Sequence, residues 1–118
     1  MRTLAVMSLK GGVGKTTIAA ALARQAADKF STAGKPRFVA GSMGPTTKTI
    51  LVTGGVTFAQ LEDGYGEQAL GLMEGGADIL LLETAQDTLN LKAGLNGIEQ
   101  AFAKLNRSVP VMISATIE

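Results

Sequence analysis

Residues Ala77 to Asn90 read ADILLLETAQDTLN. Ile79 to Leu82 is an unbroken apolar run of strand length, the pattern of a parallel strand covered on both faces. The run stops at Glu83, and Asp87 or Thr88 stands where it can cap a helix. Leu91, Leu95, Ile98, Phe102 and Leu105 then recur at the helical period. Strand, short connection and helix make one βα unit, which points to the α/β class.

The flanking sequence repeats the unit. Phe58, Leu61, Tyr65, Ala69 and Leu72 share one helical face, with Thr57 as a cap and Gly75-Gly76 as the stop. Gly64, Gly66 and Gly71 lie inside that helix at about 1 kcal/mol each against alanine, which predicts the loosest element of the chain. A strand over Phe38 to Ser42 is entered through Pro36 and left through GSMGPTT, Gly41 to Thr47. Before it, a helix from Thr16 to about Phe30 carries Ile18, Leu22, Ala26 and Phe30 along one side, and Ser31 to Lys35 ends it. Leu4 to Leu9 is apolar on both strand faces, and Val109 to Ile113 is a last strand with Pro110 tolerable near its start.

The predicted architecture is βαβαβαβ: one α/β domain over 1–118 with a four-stranded, all-parallel sheet and right-handed crossovers. Two strand orders are compatible with it. Order 2-1-3-4, Rossmann-like and doubly wound, buries both sheet faces within a monomer, and the long Pro45 to Val56 connection makes the crossover feasible. Order 1-2-3-4, a half-barrel, puts all helices on one face and leaves the other to a second chain, making a homodimer. Burial within one chain favours the first.

Bulk properties bound the partners. The 118 residues carry a formal net charge of +1 with 18% charged residues, which gives no basic field for nucleic acid and no polybasic segment for a membrane. There is no cysteine and no histidine, so a zinc site is not expected. The start, MRTLAVMSL, lacks a signal-peptide pattern, and no run approaches the ~18 apolar residues of a span. A cytoplasmic protein, monomer or homodimer, is the expectation.

Lys10 to Thr17 read KGGVGKTT between the first strand and the first helix. Gly11, Gly12 and Gly14 suit positive φ angles that turn backbone N–H groups toward one anion, and Val13 lies among them. Lys15 would face phosphate oxygens, while Thr16, followed by Thr17, would offer a hydroxyl to Mg²⁺. The strict G-x-x-x-x-G-K-[ST] pattern fails, because Leu9 stands where its first glycine belongs. Lys10 with GGVGKTT behind it resembles the deviant phosphate loop of the ParA/MinD-like partition ATPases, over roughly residues 1–20. The resemblance implies that Lys10 reaches a nucleotide held across a dimer.

From about Leu22 the sequence resembles a different family. The blocks PRFVAGSMGPTTK, Pro36 to Lys48, and ADILLLETAQDTLN, with VPVMISATIE at the end, are similar to the homocysteine-binding barrel of cobalamin-dependent methionine synthases. That resemblance implies consecutive units of an eight-stranded barrel, its third to fifth strands, and so argues for order 1-2-3-4, with Gly41 to Thr47 and Glu83-Thr84 at strand ends that face substrate. It also implies a zinc held by cysteines on later strands, which this chain does not contain, so neither methyl transfer nor zinc or cobalamin binding is expected. Two families joined inside one helix suggest an engineered chimera with its junction near Ile18 to Leu22.

The functional expectation is a chimera whose phosphate loop, Lys10 to Thr17, binds phosphate or Mg-ATP/ADP weakly with little or no turnover. Glu83, after an apolar strand, is a secondary Mg²⁺ candidate beside Thr16, and Asp87 a weaker one. A purely structural chimera and a weak Mg²⁺-dependent ATPase are the alternatives, and a residual amino-acid contact through Glu83 is a further one.

Overall fold

The computed structural model describes residues 4–8, 13–44, 55–85 and 87–116. Seven elements alternate: β1 (Leu4–Ser8), α1 (Val13–Phe30), β2 (Phe38–Met43), α2 (Phe58–Glu74), β3 (Ile79–Ala85), α3 (Thr88–Leu105) and β4 (Val111–Ala115). The strands form one parallel sheet in the order β1-β2-β3-β4. The doubly wound order 2-1-3-4 is therefore corrected. β1 pairs β2 along its whole length, from Leu4 opposite Phe38 to Ser8 opposite Ser42, so each crossover sets the next strand beside the last.

Sequential order places the helices in one layer. Paired residues of parallel strands share a sheet face, so Gly41 and Leu80 point one way and Ser42 and Leu81 the other. A Cβ on Gly41 would come within 2.8 Å of Leu72 in α2, and one on Gly94 of α3 within 2.9 Å of Leu82. Gly41, Leu80 and Leu82 thus face the helices. The core between sheet and helices contains Val39, Met43, Leu72, Met73, Leu80, Leu82 and Ile98. No helix among the described residues covers the opposite face, which bears Ala40, Ser42, Leu81 and Glu83.

The caps fall where side-chain chemistry puts them. Thr57 accepts from the Gln60 backbone N–H while Gln60 accepts from that of Thr57, a capping box that starts α2. Asp87 is the N-cap of α3, and Asn106 closes that helix in the left-handed region at φ 50°. β4 starts later than the apolar run suggests, because Pro110 has no N–H to give. Its carbonyl nevertheless accepts from Leu80 N at 3.0 Å.

Two readings of the helices change. The stripe Ile18, Leu22, Phe30 of α1 points outward, at 64%, 58% and 64% exposure, with Ala26 also exposed. The inner face is Thr16, Ala19, Ala20, Ala23 and Ala27. Close approach explains the exchange: a Cβ on Gly75, at the end of α2, would lie 2.4 Å from the Ala20 Cβ and 2.5 Å from the Thr17 carbonyl. Only small side chains fit between backbones that near. In α2 the glycine cost has a return, since Gly66 meets Gly97 of α3 and this central helix packs against both neighbours.

At the opposite end of the sheet, Asp78 ties three elements together. Its Oδ2 accepts from Arg24 Nη1 of α1 at 2.5 Å and from the Val39 backbone N–H of β2 at 2.7 Å.

Candidate functional site

Loops at the carboxyl ends of parallel strands are where α/β folds place their ligands. On this sheet those ends are Ser42-Met43 of β2 and Glu83 onward in β3. Alternation along each strand turns Ser42 and Glu83 to the face without helices, and the Ser42 hydroxyl donates to Glu83 Oε1. Ser42 has 0% exposure, while Glu83 is half-buried. A hydroxyl removed from water needs such a partner, and a hydrogen bond to an ionised group is among the stronger kinds. The pair presents a carboxylate, oriented by a neutral donor, at the strand ends.

A second polar group lies behind the strand end. Tyr65 Oη of α2 donates to Asn90 Oδ1 at 3.2 Å, and Asn90 gives its backbone N–H to Asp87 Oδ1 at 2.6 Å and its amide to Asp87 Oδ2 at 3.3 Å. Burial, and then the nearby Asp87 charge, raise the Tyr65 phenol above its ordinary value. These bonds hold the first turn of α3. Asp87, named as a weaker metal candidate, acts here as a helix cap.

The glycine-lysine segment is described only from Val13 onward. Lys10, Gly11 and Gly12 lie outside the described residues, as do Pro45 to Thr47 of the second loop. Val13 through Thr17 are the opening of α1 itself. Gly14 is helical without a positive φ, and space around it is open, so nothing at that position demands glycine. Lys15 is exposed. Thr16 is 1% exposed on the inner face of α1, and its Oγ1 finds no hydrogen-bond partner among the described residues. Glu83 is bonded to Ser42, on the face of the sheet away from α1.

Sequential βα units with one helix layer make a small α/β domain with an all-parallel sheet. The family described as Homocysteine S-methyltransferase matches residues 12–118. Methionine synthase of Mycobacterium tuberculosis (strain ATCC 25618 / H37Rv) is 43% identical over 98 residues, 83% of the chain. Methionine synthase of Mycobacterium leprae (strain TN) is 42% identical over 97 residues, 82% of the chain. The chain belongs to the homocysteine S-methyltransferase family. It spans 8% of the length of each of these two relatives.

These matches overturn the reading of a nucleotide-binding protein built on a phosphate loop. The family match begins at residue 12, so its span takes in Gly12 to Thr17 and Ile18 to Leu22, where a junction was expected.

The donor set does not fit a thiolate-held zinc. The chain has neither cysteine nor histidine, and the described residues contain no group of three histidine, cysteine, aspartate or glutamate side chains placed to hold a metal. Among the described residues no helix is long and apolar enough to cross a membrane.

Sequence reasoning found Glu83 from the apolar run before it, but not its partner. Ser42 was placed only as the end of a strand. The available signal was parity: a lone hydroxyl among Val39, Ala40, Gly41 and Met43 needs a polar neighbour, and only an adjacent strand end offers one. Tyr65 and Asn90 were likewise hidden, one as a core position and the other as an ordinary helix residue.

Proposed function

We propose that this chain is the part of a homocysteine S-methyltransferase barrel that receives the amino end of an amino-acid substrate, and that it does so without completing methyl transfer. The observation that carries the reading is the Ser42–Glu83 pair on the face of the sheet free of helices, at the carboxyl ends of β2 and β3. A carboxylate held there by a neutral donor can accept hydrogen bonds from a primary ammonium, with charge assistance. Membership in the family and the word methionine in the names of both relatives favour a sulfur-containing α-amino acid over other amines.

The reaction itself needs more than this pair. A thiol becomes a methyl acceptor as its thiolate, and nothing in the donor set of this chain supplies a soft metal to stabilise one. The chain's own residues bind and orient; they do not activate sulfur.

The test is equilibrium binding of L-homocysteine by the unaltered chain and by Glu83→Gln, with 4-mercaptobutyrate as the same ligand lacking its amine. Loss of one charge-assisted hydrogen bond predicts roughly tenfold weaker homocysteine binding by the variant. It also predicts no difference between the two proteins for mercaptobutyrate. Equal homocysteine affinity in both would refute the reading.

A further inference from the structure

We infer that Ser42 is a positioning residue, whose buried hydroxyl holds one oxygen of the Glu83 carboxylate so that the other is presented to the ammonium of a bound amino acid; the inference rests on the amino-acid reading above.

The argument begins with burial. Ser42 has no exposed surface, and its hydroxyl donates to Glu83 Oε1, a residue on the neighbouring strand that is partly open to solvent. A glutamate has three rotatable bonds, and a half-exposed one samples several rotamers at a cost of order 1 kcal/mol for each side chain ordered on binding. A donor fixed on a rigid strand removes part of that cost before the ligand arrives. β2 is such a support, because it is paired on both sides, with β1 and with β3, and its helix-facing residues are in the core.

The alternative role for Ser42 is structural: a buried hydroxyl satisfied by the nearest acceptor, with no bearing on ligand. The two roles separate in a double-mutant cycle. A positioning residue acts through Glu83, so its removal matters only while Glu83 is a carboxylate. A structural residue changes folding stability and shifts affinity by the same factor in either background.

Homocysteine dissociation constants for the unaltered chain, Ser42→Ala, Glu83→Gln and the double variant carry the test. The Cδ resonance of Glu83 in protein labelled with ¹³C-glutamate gives a second readout that needs no ligand. The expected result is about tenfold weaker binding for Ser42→Ala, a further change of less than about twofold when Glu83→Gln is already present, and a displaced Glu83 Cδ signal in Ser42→Ala. An unchanged affinity for Ser42→Ala, or the same loss in both backgrounds, overturns the positioning role while the amino-acid reading stands. A Glu83→Gln variant that binds as well as the parent, or a parent that binds no homocysteine, overturns both.

Discussion

Gly97 of α3 lies against Gly66 of α2 so closely that a Cβ on Gly97 would come within 2.7 Å of the Gly66 nitrogen and within 2.5 Å of the Glu62 carbonyl oxygen. Both obstacles are backbone, so neither can rotate away. Gly97→Ala is expected to destabilise the fold by at least about 1–3 kcal/mol, the usual range for overpacking. Gly64, in the same helix as Gly66, has open space where its Cβ would go. Gly64→Ala should therefore stabilise by about 1 kcal/mol through helix propensity. Urea unfolding of the two variants beside the parent gives both signs in one experiment.

The outward stripe of α1 makes a prediction opposite to its sequence pattern. Leu22→Glu is expected to change stability by no more than about 0.5 kcal/mol, as surface substitutions do. Ala20→Leu, only two residues away, should cost about 1–3 kcal/mol, because Gly75 of α2 sits against that position. Thermal midpoints rank the pair, and the reverse ranking would mean that the helix is rotated.

That rotation shows what the sequence could and could not supply. The existence and type of all seven elements followed from periodicity, and Thr57 and Asp87 marked two helix starts by their own side-chain chemistry. The orientation of α1 did not follow, since hydrophobicity favours Ile18, Leu22 and Phe30, whereas the distance to α2 admits only alanines. The order of the sheet drew opposite answers, since the barrel resemblance argued for 1-2-3-4. It depends on where each crossover lands, and the demand that both faces be buried in one chain favoured the wrong arrangement. At the site, Glu83 was legible as an acid ending an apolar run, while Ser42 became visible only when two strands stood side by side. The glycine-lysine segment misled because its spacing was read as a function, whereas the family match from residue 12 onward points to different chemistry.

Tyr65 gives a pH dependence with a definite sign. Its folded-state value is raised, so the native protein holds the phenolic proton more tightly than the unfolded chain does. The associated stability is fully present below the unfolded value near 10.0 and is lost as pH rises through the folded value. Stability should decline above about pH 10 in the parent, and Tyr65→Phe should lack that part of the decline. Tyr65→Phe should also cost about 1 kcal/mol at neutral pH, since Asn90 Oδ1 loses its donor. The chain has one tyrosine and no tryptophan, so tyrosinate absorbance titrates this group alone.

Asp78 is expected to matter through both of its bonds. Asp78→Asn keeps an acceptor for the Val39 N–H but loses the ion pair with Arg24, and Asp78→Ala loses both. Losses of about 1 kcal/mol for asparagine and about 1.5–3 kcal/mol for alanine are predicted, with the difference between parent and asparagine narrowing in high salt. Denaturant midpoints at low and high ionic strength provide the check.

The most direct test of the central claim is a titration of ¹⁵N-labelled protein with L-homocysteine, followed amide by amide. Saturable shifts centred on Ser42, Met43 and Glu83, and lost in Glu83→Gln, are the predicted result. Shifts centred instead on Gly14 to Thr17, or a response that persists unchanged in Glu83→Gln, would contradict the assignment of the amino-acid contact to the ends of β2 and β3.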